Sequence, residues 1–250
     1  MFEPDVYLTG ERFSFFSALA GQNVAPRPPL SAIEPKASFE NGEFALRLFR
    51  TVEGREYAVY GYYGFFKQPS ALTTDLLPTF APLAAIGASV RQPAGLGLLN
   101  AEFSFYRSRD DRDGTSPLIA NSQFRFLTGY EWEAVTNLTV ALQYYLEWTI
   151  GHDALIANSP APEFEPDEYR HMITNRLTYR AGRDKYTYSL FTFWSPSDRD
   201  IYLRPQFAYR HSDQWTLTAG GSFFAGDEPQ TFFSQLEDAS NLYVRLRYNY

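Results

Sequence analysis

The chain has 250 residues, no cysteine, 18% aromatic residues and a formal net charge of −7. The absent cysteine excludes disulfide frameworks and thiolate metal sites, and the negative charge argues against nucleic-acid binding by bulk attraction. No stretch approaches 18 apolar residues, so no transmembrane helix is expected; yet mean hydropathy is only −0.34 despite the aromatic excess, a pairing that fits strands in which alternate residues meet lipid.

The chain begins M-F-E-P-D-V, without the basic start and apolar core of a signal peptide. An outer-membrane protein needs one. That leaves a processed chain, the C-terminal portion of a larger barrel, or a protein outside the membrane. Alternating apolar and polar residues then mark segments at residues 5–19, 42–52, 55–66, 82–91, 97–107, 121–132, 137–149, 168–180, 185–194, 201–210, 214–224 and 241–250, about twelve in all. Most run about 10 to 13 residues, the length a tilted strand needs to cross a bilayer, whereas soluble strands run nearer five or six. Pro205 lies inside segment 201–210, where a central strand cannot spare its N–H, so a bulge or local break is expected there.

The connections alternate in length. Those at residues 53–54, 92–96, 133–136, 181–184 and 211–213 are short, and those at 21–41, 67–81, 108–120, 151–167 and 225–240 are long; only 195–200 is intermediate. Short periplasmic turns against long extracellular loops are the rhythm of an outer-membrane barrel. With the last strand ending in the periplasm, every short connection falls on the periplasmic side, which agrees with an even strand number.

Segment 137–149 gives the clearest pair of faces. Leu138, Val140, Leu142, Tyr144, Leu146 and Trp148 alternate with Thr139, Ala141, Gln143, Tyr145 and Glu147. Trp132, Trp148, Trp194 and Trp215 fall near segment ends, where interfacial aromatic girdles belong; core tryptophan is the competing reading. Tyr248 and Tyr250 join the girdle set on the apolar parity of the last segment.

If the polar parity faces a lumen, Arg47, Arg91, Arg125, Arg170, Arg176, Arg180, Arg204, Arg210, Arg245 and Arg247 point inward, against Glu43, Glu102, Glu131 and Glu147. Arg47, Arg125, Arg176, Arg204, Arg245, Arg247, Glu102, Glu131 and Glu147 are the pore-lining candidates, with Arg125, Arg176 and Arg204 nearest mid-strand. The negative charge collects in the loops, as at Asp110, Asp111, Asp113, Asp227 and Glu228. Rings of arginine in a pore favour anions. Arg and Glu on neighbouring strands also brace a barrel wall, and the two roles are compatible.

Other chemistry has thin support. The run R-S-R-D-D-R-D-G at 107–114 lacks the spacing and closing glutamate of a calcium loop. Ser122 and His171 share the lipid-facing parity but sit on strands separated by a third, on the order of 10 Å apart, too far for a nucleophile and its base. His152 and Asp153 fall at a barrel mouth with no further catalytic partner. No catalytic residue, metal or cofactor is expected, and the protein is not expected to be an enzyme.

The ending N-L-Y-V-R-L-R-Y-N-Y resembles the C-terminal β-signal read by the outer-membrane assembly machinery, though the glycine usual in that strand is absent. G-F-F-K-Q-P-S (64–70), Q-Y-Y-L-E-W (143–148), D-E-Y-R-H (167–171) and S-P-S-D-R-D (195–200) are similar to the C-terminal part of porin-like outer-membrane proteins of Gram-negative bacteria. The resemblance runs from about Asn41 onward and implies a barrel of unassigned cargo; with the segment count, the expected fold is all-β over residues 1–250, a transmembrane antiparallel up-and-down barrel of about twelve strands. The expected function is an outer-membrane channel passing small solutes, with a preference for anions drawn from the arginines of the polar parity. The alternative is a non-conducting surface protein whose long loops bind a partner or lipid, and a soluble all-β binding domain stands third. Expected partners are outer-membrane lipid, lipopolysaccharide and, through the last strand, the assembly machinery, with no nucleic acid.

Overall fold

The computed structural model describes residues 15–17, 21–24 and 31–250. Two short strands come first, β1 (Phe15–Ser17) and β2 (Gln22–Val24), paired with each other. Then follow β3 (Phe44–Val52) and β4 (Arg55–Phe65), a small hairpin of β5 (Ala71–Leu72) and β6 (Pro78–Thr79), and β7 (Pro82–Ala94) and β8 (Gly97–Ser108). After these come β9 (Gln123–Val135), β10 (Leu138–Thr149), helix α1 (His152–Asn158), β11 (Tyr169–Ala181) and β12 (Tyr186–Ser195). β13 (Asp200–Arg210), β14 (Trp215–Gly226) and β15 (Asn241–Tyr248) complete the chain. Eleven strands, β3, β4 and β7 to β15, form one antiparallel sheet in which each strand pairs with its neighbour in sequence order.

Of the segments expected from sequence, all but the first correspond one to one with strands of this sheet. Most of residues 5–19 lies outside the described residues; the described part, Phe15–Ser17, pairs with Gln22–Val24 and not with the large sheet. The sheet therefore has eleven strands where about twelve were expected. Its outer strands, β3 and β15, have no further strand partner among the described residues. Several ends also shift. β7 runs on to Ala94 and β9 to Val135, because each keeps pairing with the next strand up to the turn. β15 stops at Tyr248, which leaves Tyr250 beyond the strand and fully exposed rather than on the strand's apolar face.

Turn chemistry places the two ends of the sheet. Glu53 and Gly54, both at positive φ (50° and 76°), join β3 to β4. That is the two-residue turn whose twist matches a hairpin, and glycine takes its second position without strain. Five short connections lie at this end, 53–54, 95–96, 136–137, 182–185 and 211–214, while the four-residue turn 196–199 lies at the other. The long connections lie at the other end. At Pro205 the register between β13 and β14 is continuous, but Arg204 and Pro205 have no partners on β14, the expected local break.

The registers sort side chains into two faces. One row runs Leu99, Tyr130, Leu142, Asn175, Thr192, Leu203 and Phe223 across successive strands. Neighbouring rows on this face hold Ile86, Phe103 and Val244, all exposed although apolar and well inside their strands. Arg50, Arg55 and Arg107 reach this face only near strand ends, where long side chains can turn toward water. The opposite face carries the charged and polar side chains. Buried apolar residues are few and gather at the long-loop end, where Ala32, Phe65 and Phe80 form a cluster. A soluble sandwich would bury one face of each sheet under another. Here, among the described residues, no second layer covers the apolar face.

Candidate functional site

Every pore-lining candidate falls on the polar face. Ser104 opposes Arg125, which opposes Glu147, which opposes Arg170. Arg176 opposes Phe191, which opposes Arg204. Arg245 and Arg247 oppose Thr218 and Thr216. Glu102 opposes Ser89, and Glu131 lies between Leu98 and Ala141. Arg47 opposes Tyr60 and reaches the Glu56 carboxylate at 2.8 Å.

The carboxylates are not spread evenly over this face. Glu56, Glu102, Glu131 and Glu147 all lie on β4 to β10. Strands β11 to β15 carry Arg170, Arg176, Arg180, Arg204, Arg210, Arg245 and Arg247 on the polar face, with Asp200 as their only strand carboxylate there, at the long-loop end. Ion pairs occur on both parts of the sheet. Arg125 sits 3.3 Å from Glu147, which also accepts a bond from the Tyr145 hydroxyl at 2.8 Å. Arg170 is bound by Asp198 at 2.6 Å. Arg176, Arg204, Arg245 and Arg247 have no carboxylate within ion-pair distance among the described residues; Arg176 lies instead over the Phe191 ring, 5.4 Å from its centre. Bracing and free positive charge therefore coexist, and β11 carries both, in Arg170 and Arg176.

Depth corrects one expectation. Arg125 is the third residue of β9, near the long-loop end, because β9 extends from Gln123 to Val135. Arg176 and Arg204 are central in β11 and β13.

The tryptophans lie toward strand ends on the apolar face. Trp132 stacks with Tyr130 at 5.2 Å, and Trp215 lies 4.8 Å from Tyr248, both at the short-turn end. Tyr179 and Tyr188, and Tyr186 and Tyr209, add stacked pairs at that end. Trp148 stacks with Tyr169 at 5.7 Å at the long-loop end, where Trp194 also lies. Two belts of rings thus border the apolar face. Tyr250 does not join them.

Residues weighed for other chemistry are held separately. The Ser122 hydroxyl accepts from the Ser108 amide, His171 Nδ1 lies 2.7 Å from the Tyr144 hydroxyl, and His152 Nε2 lies 3.0 Å from the Pro166 carbonyl. Both Asp111 oxygens accept backbone N–H groups, from Thr115 and Ser116, which makes Asp111 the staple of its loop.

Sequence reasoning missed an aromatic patch on the polar face. Phe193 pairs with Tyr202, and Tyr202 pairs with Phe224. The signal was present in F-T-F (191–193), which puts two rings on the polar parity. Phe233, from the loop between β14 and β15, packs onto the patch, and nothing local in the sequence announces that.

No family model matches the chain, and no curated protein does. One solved structure, a KdgM porin in complex with disordered oligogalacturonate, aligns over 73% of this chain and 83% of its own, at 11% identity and a TM-score of 0.34. Neither figure is high enough to carry a conclusion about this chain.

Proposed function

We propose that the chain forms a closed antiparallel β-barrel in the bacterial outer membrane and acts as a passive channel for small solutes, with a preference for anions. The observation that carries the reading is the division of one sheet into an uncovered apolar face with ring belts at both ends and a charged face. Exposed mid-strand leucine, valine and phenylalanine need an apolar solvent, and the bilayer supplies one. The long loops would then face outward and the short turns the periplasm. The last strand, with Tyr248 in its terminal belt, would contact the assembly machinery. Lipid and lipopolysaccharide would surround the barrel.

Closure follows from backbone bonding. In hydrocarbon, the unpaired N–H and C=O rows along β3 and β15 would each be costly, so lipid-exposed edges do not persist. Both strands run from the long-loop end to the short-turn end. An even-numbered antiparallel cylinder therefore needs a further strand of opposite direction between them. The Phe16 amide donates to Gln235 Oε1 at 2.8 Å, which ties β1 to the loop leading into β15.

Anion preference rests on the unpaired arginines of β11 to β15. Planar-bilayer recording of the refolded protein, with reversal potentials in a salt gradient, tests both parts. Current with an anion-selective reversal potential is expected. Inserted protein that carries no current would favour a non-conducting surface protein whose long loops bind a partner or lipid. A compact monomer in plain buffer would overturn the membrane reading.

A further inference from the structure

The loop between β14 and β15 does not stand away from the sheet. Phe233 lies over the polar face, with its ring centre 5.7 Å from both Phe193 and Tyr202 and 6.3 Å from Phe224. Tyr202 and Phe224 stack beneath it at 4.5 Å. Only 6% of Phe233 remains exposed. A ring on an outer loop can gain this burial only by turning toward the charged face, because Phe193, Tyr202 and Phe224 all point that way.

A carboxylate holds the turn in place. Asp200, the first residue of β13, is 1% exposed, and its Oδ2 accepts the Phe233 N–H at 2.8 Å. A buried ionisable side chain is costly unless it is bonded, so this contact positions the loop rather than decorating it. Opposite Asp200 stands Gly226. A Cβ there would lie 2.0 Å from Ser234 Oγ and 2.8 Å from Asp200 Cβ, so the missing side chain leaves the loop its seat. The loop also fastens itself: the Thr231 hydroxyl donates to the Glu228 carbonyl at 2.9 Å, and Gln235 Nε2 donates to the Gln230 carbonyl at 2.8 Å. On the neighbouring turn, Asp198 reaches inward to Arg170.

We infer that residues 227–240 are an inward-folded constriction at the outer mouth of the passage, seated by Phe233 on the inner aromatic patch and positioned by Asp200. The inference rests on the channel reading for its function, but not for the loop's place. Arg204 and Ser222 lie on the polar face one rung further in than Tyr202 and Phe224. The loop therefore limits what reaches the unpaired arginines of this wall.

The test uses the absence of native cysteine. Ser222→Cys places a single thiol on the inner face below the patch. Its labelling by a membrane-impermeant maleimide is followed in the refolded protein, alone and combined with Asp200→Ala, Asp200→Asn or Phe233→Ala, and conductance is recorded for each. A gel shift on heating confirms that each variant is folded. Labelling should accelerate by roughly fivefold in Asp200→Ala, the population change that losing one hydrogen bond of about 1 kcal/mol produces. Phe233→Ala should do the same and serves if Asp200→Ala fails to fold. Both should conduct more than the parent. Asp200→Asn, which keeps an oxygen to accept the Phe233 N–H, should stay near the parent. Labelling unchanged in both alanine variants overturns the inference, whatever the conductance. Labelling that accelerates in proteins carrying no current upholds the loop's position and overturns the channel reading instead.

Discussion

Leu142 and Gln143 are adjacent in sequence and lie on opposite faces of β10. Leu142 opposes Tyr130 and Asn175 on the apolar face, near mid-strand, and is 46% exposed. Gln143 opposes Gly129 and Thr174 on the polar face and accepts a bond from the Thr174 hydroxyl at 3.1 Å. If the apolar face meets lipid, Leu142→Arg puts a charge near the midplane, which costs about 2–4 kcal/mol. Gln143→Arg loses one neutral hydrogen bond and keeps its head in a polar space, a cost of about 1 kcal/mol. Leu138→Arg lies on the same apolar face but at the short-turn end, where the penalty falls to about 0–1 kcal/mol. The order Leu142, then Gln143 and Leu138, is the signature of a lipid slab. A water-exposed sheet gives another answer, since a surface substitution at Leu142 would stay within about 0.5 kcal/mol. The assay is reversible denaturant unfolding from lipid vesicles, with the three variants measured side by side. Equal costs at Leu142 and Gln143, or at Leu142 and Leu138, would refute the membrane assignment of this face.

Replacing Arg176 and Arg204 together with Gln should shift the reversal potential toward cations, because neither guanidinium is neutralised by a carboxylate in the wall; unchanged selectivity would show that other charges set it. Arg125→Gln should act mainly on stability, lowering it by about 1–3 kcal/mol in denaturant unfolding, since Glu147, three-quarters enclosed or more, loses its ion-pair partner. Tyr248→Ala should slow assembly in cells and cost roughly 0.5–1.5 kcal/mol of folded stability through its lost contact with Trp215, whereas Tyr250→Ala, beyond the last strand, should leave denaturant midpoints unchanged. Gly97→Ala should destabilise by about 1–3 kcal/mol, because a Cβ there would stand 2.2 Å from the Glu131 carbonyl oxygen; Gly61→Ala, with nothing within 4 Å of its Cβ position, is the matched control in the same unfolding series.

The sequence by itself determined the strands, their faces and the alternation of short and long connections. Each of these is local. Side chains alternate with a period of two along any strand, so the inward and outward sets at Leu138–Thr149 follow once a strand is recognised. Turn residues such as Gly54 and Asn137 mark the hairpins. All the arginines of the polar face could be assigned in this way because parity does not depend on which strand lies next door. Only the tertiary structure decided what those arginines touch. An ion pair needs two residues at the same height on adjacent strands, and register is a property of pairing, not of either strand alone. The register put Glu147 beside Arg125 and Phe191 beside Arg176. It also carried β9 past the expected end to Val135 and ended β15 before Tyr250. The seat of Phe233 was the least legible feature. It joins a loop to three strands and a buried aspartate 33 residues away, and no periodicity in one chain segment encodes a contact across that distance.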